Sequence, residues 1–293
     1  MVKCAAYAGE IYSSAAKKIV ERYESAGTLE LTGILADKPE AARGYGAPIV
    51  DKSKIDPDSL DAVIILAQDR RRVLRMEQSL IDAGFPDERV VPVSVMNLAG
   101  FDFGLYRKLR LHTPTIFSMD CMGGLIYHYL DLKFMSPMIK LGIQDLDYLR
   151  LLQDPKRYFS ADLSFVGYDS KTYPGLCSAV AACEDISIFF CHYSSYEEGE
   201  KKWNQRKKRI DWDNLVVLNN NDNEDMVRQF AVLPYERKVC FTRAKVEGPG
   251  IVQKQTAGML NLKGAFLQNA ISSLLFKDNA EFNMFRFLVG EER

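Results

Sequence analysis

Apolar and polar positions fall into blocks along the chain. The run VKCAAYA near the N-terminus predicts a strand, and the mixed pattern from Ser13 to Ser25 predicts a helix. LELTGILAD, 29–37, reads as a second strand, followed by the loop KPEAARGYGAP. DAVIILAQ, 61–68, is the most continuous buried strand. From Arg70 to Ala83, Val73, Leu74, Leu80 and Ile81 approximate one helical face, and ERVVPV closes the set. Strands separated by helical stretches imply a parallel sheet with right-handed crossovers. The expected fold class is therefore α/β, with a Rossmann-like domain over residues 1–108.

The segment GFDFGLYRKLRLHTP, 100–114, changes composition and marks a crossing into a second α/β domain, residues 109–293. Its predicted pieces are the strand TIFS, the stretch SPMIKLGI, a helix over Leu146–Gln153 and the strand DLSFVGY. Then come the strongly apolar ISIFFCHY, 186–193, a charged helix over Tyr196–Ile210 and the strand NLVVLNN. A helix near Asp225–Phe230 and the strand RKVCFT complete the body. The apolar tail, from AFLQNAISSLLF to FNMFRFLVG, is expected to fold back on it.

Composition narrows the class. The chain has 293 residues, a net charge of -1 and 26% charged positions, a balance that favours neither a nucleic-acid partner nor a disordered chain. No run approaches the ~18 apolar residues of a membrane span, and the first residues lack a secretory pattern. A soluble cytoplasmic protein is expected. Six cysteines without C-x-x-C spacing, and only three histidines, give neither a disulfide framework nor a structural zinc site.

A phosphate-binding turn of the form G-x-G-x-x-G is expected where the first strand ends. The chain offers Tyr7-Ala8-Gly9-Glu10-Ile11-Tyr12, with a single glycine and two tyrosines. Gly9 and, at the end of the second strand, Asp37 are the candidate cofactor residues. Asp37 sits where a ribose hydroxyl would bind, although the damaged turn favours a scaffold without a dinucleotide, and the sequence names no cofactor.

Cys121 stands before Gly123 and Gly124 at a predicted helix start, a setting that can stabilise a thiolate and offer backbone N–H groups to an oxyanion. A structural reading makes the glycines a close helix–sheet contact and Cys121 a filler. His128 lies two helical turns on. His192 closes ISIFFCHY, and if both strands belong to one parallel sheet, Cys121 and His192 share its carboxyl edge. In the helix YEEGEKKWNQRKKRIDW, Glu197 and Glu198 precede Lys201 and Lys202 by four residues, so most of the charge supports the helix itself. Arg206 and Arg209 remain candidates for an anionic group.

Three stretches together resemble a bacterial family: IFSMDCMGGLIYHYLDLKFMSPMIKL, FFCHYSSYEEGEKKWNQRKKRIDWDNLVVL and LPYERKVCFT. It is domain-of-unknown-function family 1919, whose members are often labelled exopolysaccharide biosynthesis proteins. The resemblance runs from about Thr115 to Thr242. The family pattern reads asparagine-asparagine-cysteine-tryptophan-glycine-glycine where this chain has Met119-Asp120-Cys121-Met122-Gly123-Gly124. The cysteine and glycines are kept; the asparagines and the tryptophan are not. His128, Ser136, Pro137, His192, Tyr193, Trp203, Arg206 and Arg209 fall on further motif positions.

The resemblance implies a role in surface-polysaccharide assembly, with a sugar, nucleotide-sugar or glycan ligand and group transfer as the reaction class. Cys121, Gly123, Gly124, His128 and His192 would form the polar end of the site. Tyr193 or Trp203 would stack on a sugar face, and Arg206 or Arg209 would hold an anion. Two alternatives stand beside it: a thiol-dependent hydrolase or acyltransferase using Cys121 and His192, and a non-catalytic binding or scaffold protein.

Overall fold

The structure is a computed structural model and describes residues 1–10, 13–173, 175–253 and 282–291. Ile11, Tyr12 and the tail segment 265–281 lie outside the described residues. The chain divides into two compact units, Met1–Leu111 and His112–Arg293.

In the first unit β1 (Val2–Gly9), α1 (Ser14–Ser25), β2 (Leu29–Ala36), β3 (Ile49–Val50), β4 (Ala62–Ile65), α2 (Arg70–Asp82) and β5 (Val90–Pro92) follow in order. Two short helices, α3 (Val93–Met96) and α4 (Phe103–Leu111), complete it. All neighbouring strands run parallel, in the order β3-β2-β1-β4-β5. The order reverses at β1, so consecutive elements are wound outward from the centre. That position explains the unbroken apolar runs: β4 is buried at every residue, as a central parallel strand covered on both faces must be. Ser13 caps α1 by accepting the Ala16 N–H, and Asp69 caps α2 by accepting that of Arg72 at 2.9 Å. Each such cap contributes about 1 kcal/mol. The buried face of α2 is Val73, Met76, Glu77 and Leu80; Leu74 and Ile81, expected on it, are exposed. Glu77 is tolerated inside because the Arg110 guanidinium reaches it at 3.1 Å.

Among the described residues the second unit holds two sheets. β6 (Thr115–Ser118), α5 (Met122–Tyr129), β7 (Gly142–Ile143), α6 (Asp145–Gln153) and α7 (Pro155–Ser160) come first. β8 (Ser164–Asp169), β9 (Ser178–Cys183), β10 (Ile186–Phe190), α8 (Tyr196–Arg206), β11 (Leu215–Asn220), α9 (Glu224–Ala231), β12 (Lys238–Thr242) and β13 (Ile251–Gln253) follow. One sheet is parallel, in the order β13-β12-β11-β6; the other is antiparallel, in the order β7-β10-β9-β8. The unit's core joins Phe117 and Val217 of the parallel sheet to Ile188 and Phe190 of the antiparallel one, with Tyr148, Phe159 and Trp203 between. A last short helix, Met284–Leu288, buries four of its five residues and is capped by Asn283.

This arrangement corrects one expectation. ISIFFCHY is not a strand of the same parallel sheet as TIFS. β10 pairs with β9 in a hairpin, Ile186 opposite Cys183, and turns through Glu184 at a φ of 53°.

Candidate functional site

Parallel α/β sheets bind ligands at the carboxyl ends of their strands, where loops and helix starts converge. In the second unit that edge is strongly polar. β6 ends in Ser118 and leads to Asp120 and Cys121; β11 ends in Asn219 and Asn220 and leads to Asn221 and Asp222; β12 ends in Thr242 and leads to Arg243. Register places these ends side by side, since Ser118 lies opposite Leu218, and Asn219 and Asn220 lie opposite Cys240 and Phe241.

The side chains at this edge are held by their own loops. Ser118 Oγ donates to Asp120 Oδ1 at 3.0 Å, and the same oxygen accepts the Met122 N–H at 2.8 Å, which fixes the start of α5. Asn219 is 3% exposed and Asn221 7%. The carboxamide oxygen of Asn219 accepts the Asn220 N–H, and that of Asn221 accepts the Asn223 N–H, each at 2.8 Å. Neither side-chain NH2 group has a partner among the described residues. Each is a rigid, nearly buried donor whose own carboxamide oxygen is already engaged. Asp222 and Arg243 form a double contact, with Nε at 2.8 Å from Oδ2 and the Arg243 N–H at 2.8 Å from Oδ1. The edge thus mixes fixed donors with carboxylate acceptors, the mixture that hydroxyl-rich or phosphorylated ligands require.

Most residues singled out by sequence gather on the adjoining segment that runs from the end of α5 into β7. The Tyr193 hydroxyl donates to the Ile139 carbonyl at 2.7 Å, and Arg206 donates to Tyr193 Oη at 2.7 Å while its guanidinium lies 5.1 Å from the Phe134 ring. Arg209 donates to the Phe134 carbonyl at 3.1 Å. The His192 N–H donates to the Lys140 carbonyl, and the Ile143 N–H to the Met119 carbonyl, which ties β7 to the residue just after β6. Arg206, Arg209 and Tyr193 therefore clamp this segment in place. Trp203 is 1% exposed, 5.2 Å from Phe159, so neither indole face is open to a sugar. The stacking expected of Trp203 is replaced by core packing. His128 is exposed in the last turn of α5, with its ring 5.8 Å from Tyr129.

The glycines separate. A Cβ on Gly123 would meet Ile116 Cγ2 at 3.1 Å and Ser118 Cβ at 3.2 Å, so Gly123 lets α5 press against β6. A Cβ on Gly124 would make only ordinary contact, 3.5 Å from Ile139 Cγ2.

Cys121 does share its surroundings with the end of β10, but through Cys191. Its pKa is pushed up to about 12 by burial, then by Asp120 and by Cys191. The His192 pKa is lowered by burial and by the Lys140 charge. Neither Cys121 nor His192 figures in the other's electrostatic environment, and a thiol raised this far is protonated near neutral pH. The Cys121–His192 pairing expected from a common sheet edge loses its premise, since β10 pairs antiparallel with β9 while β6 pairs with β11.

In the first unit, the cofactor residues expected from sequence are occupied by protein. Gly9 has a φ of 64°, and a Cβ there would lie 3.2 Å from Met76 Cε and 3.4 Å from Arg72 Nη2. Arg72 also donates to the Ala8 carbonyl at 3.0 Å, so α2 side chains cover the turn that a pyrophosphate would need. Both oxygens of Asp37 accept from the Tyr7 hydroxyl, at 2.7 and 2.8 Å, and Lys52 stands 3.4 Å away. The carboxylate meant for a ribose is already engaged.

Sequence reasoning passed over Asn219, Asn221, Asp222 and Arg243. The signal was present: NNNDN directly follows the apolar run LVVL, and a polar cluster after a buried strand is how a carboxyl edge reads in sequence. Among the described residues no cluster of His, Cys, Asp or Glu is placed to hold a metal ion, and no helix is long and apolar enough to cross a membrane.

An uncharacterized protein of Haemophilus influenzae is 36% identical over 141 residues, which cover 47% of this chain and 66% of that protein. The chain thus spans just under two thirds of that relative's length. Among solved structures, a dehydrogenase (MviM) from Clostridium difficile aligns with 64% of this chain and 68% of its own, at 10% identity and a TM-score of 0.24, too low to assign fold or chemistry. The model of the domain of unknown function DUF1919 matches residues 93–254. That span holds β6 to β13 and the whole polar edge, and the chain belongs to this family.

Proposed function

We propose that the second unit binds a sugar or activated-sugar ligand at the carboxyl edge of its parallel sheet, in the service of surface-polysaccharide assembly. The observation that carries the ligand class is the pair of nearly buried carboxamides, Asn219 and Asn221, whose NH2 groups have no partner among the described residues. Donors held at the solvent boundary with their oxygens already engaged are oriented for a ligand oxygen, which can replace their water. Asp120, Asp222 and Arg243 supply the acceptors and the cation that hydroxyl groups and phosphates complement. The process itself, and group transfer as its reaction class, rest on the family resemblance.

The thiol-dependent alternative is the weaker reading, because burial, Asp120 and Cys191 all raise the Cys121 pKa. Ligand-observed NMR against a panel of nucleotide sugars and glycan fragments tests the proposal. Saturation transfer to at least one nucleotide sugar or glycan is expected, and uniform silence across the panel would overturn it.

A further inference from the structure

At the other end of β6 from the polar edge, the chain brings two arginines to one residue. The Thr115 hydroxyl, at the first position of β6, donates to the Met135 carbonyl at 3.4 Å and accepts the Asp211 N–H at 2.9 Å. Phe134 and the residues that follow α8 are thereby held at the amino end of that strand. What they form is separate from the site proposed above.

Arg206 closes α8 and is 9% exposed, a depth at which an arginine is ordinarily met by a carboxylate. Arg110 shows the ordinary case: its side chain is 7% exposed and reaches both Glu77 and Asp87. The neighbours of Arg206 are neutral instead. Its guanidinium lies 5.1 Å from the centroid of the Phe134 ring, and one N–H goes to the Tyr193 hydroxyl at 2.7 Å. The Tyr193 proton is itself committed to the Ile139 carbonyl. No described residue accepts from the other N–H groups of Arg206, and none of its unpaired nitrogens is sealed from solvent. Arg209, exposed, donates to the Phe134 carbonyl at 3.1 Å and makes no ion pair with any described residue. Glu198, on the same helix as Arg206, is engaged by the N–H and the hydroxyl of Ser194 at 3.0 and 2.6 Å.

Two guanidiniums against one residue repel each other, and partial burial strengthens that repulsion. An aromatic face and a hydroxyl orient Arg206 without cancelling its charge. A neutral ligand would leave the charge as it is. An oxyanion cancels it and takes the unused N–H groups in pairs, and a doubly charged one matches both arginines. We propose that Arg206 and Arg209 form a binding site for a phosphate group, with Arg206 as the fixed fork and Arg209 as the exposed second cation.

The test is an NMR titration of the full chain, resolving backbone amides and arginine Nε–H groups, with inorganic phosphate and with acetate, each against sodium chloride at matched ionic strength. Saturable shifts at the Arg206 Nε–H and at the Phe134 and Tyr193 amides are expected with phosphate, and acetate should bind at least about tenfold more weakly. Arg209→Gln, at an exposed position, should weaken phosphate binding about tenfold. Arg206→Lys keeps the charge but loses the fork, and should weaken it by at least about as much. If Arg206→Lys loses its far-UV circular dichroism, Arg209→Gln decides alone. Shifts no larger than those with chloride, acetate binding as tightly as phosphate, or an unaltered affinity in Arg209→Gln would each overturn the proposal.

Discussion

Cys121 illustrates how a residue's neighbours outweigh its motif. The cysteine stands at a helix start, as a nucleophile would, yet burial, Asp120 and Cys191 all oppose its ionisation. Cys177 is exposed while Cys121 is half-buried. At pH 8, iodoacetamide should therefore alkylate Cys177 well before Cys121, as peptide mass spectrometry would show. Fastest labelling at Cys121 would restore the thiol chemistry. His192 makes the complementary case. Its folded-state pKa is depressed, so between that value and the unfolded 6.5 the unfolded chain holds the proton more tightly. The group's contribution to stability thus rises with pH across that window and falls as His192 is forced to charge. An NMR titration should place its midpoint below 6.5, and Lys140→Met should move it upward by removing one of the two causes. A midpoint unmoved by that substitution would show that the Lys140 charge is not felt.

At the scale of elements, α5 is seated on β6 through one glycine, not two. Gly123→Ala forces Ile116 and Ser118 to give way and should cost about 1–3 kcal/mol in urea unfolding. Gly124→Ala has room and should be neutral or gain up to about 1 kcal/mol by removing chain entropy from the unfolded state. Equal losses in both would mean that the helix packs differently.

Elements were legible where pattern and topology agree. DAVIILAQ announces β4 because a central parallel strand has no polar face to show, and Ser13 and Asp69 announce their helices as caps. What the pattern hides is strand direction. ISIFFCHY looks the same in a parallel or an antiparallel sheet, and its partner β9, SAVAAC, is alanine-rich with low strand propensity. The hairpin turn uses Glu184 at positive φ instead of the Asn-Gly that would have advertised it. That hidden hairpin is why His192 was expected beside Cys121. The basic helix hid its role for a different reason: only a structure shows that Arg206 and Arg209 spend donors on Tyr193 and on a backbone carbonyl.

At the scale of the molecule, two units each build a parallel sheet with a polar carboxyl edge, Met1–Leu111 around β1 and His112–Arg293 around β11 and β12. The family match covers the edge with Asn219 and Asn221 and leaves β1 to β5 outside it. The proposed ligand site lies within the matched span. Asn219→Asp and Asn221→Asp offer the sharpest probe, because aspartate keeps the oxygen that caps the next turn and turns the NH2 donor into a charged acceptor that would repel a ligand oxygen. The decisive measurement is the affinity of these two variants for a nucleotide sugar or glycan bound by the native chain. A loss of at least about tenfold in each, roughly 1.4 kcal/mol or more, in a variant whose circular dichroism shows it folded, is the predicted result. Native affinity in both variants would contradict the account and move the site elsewhere.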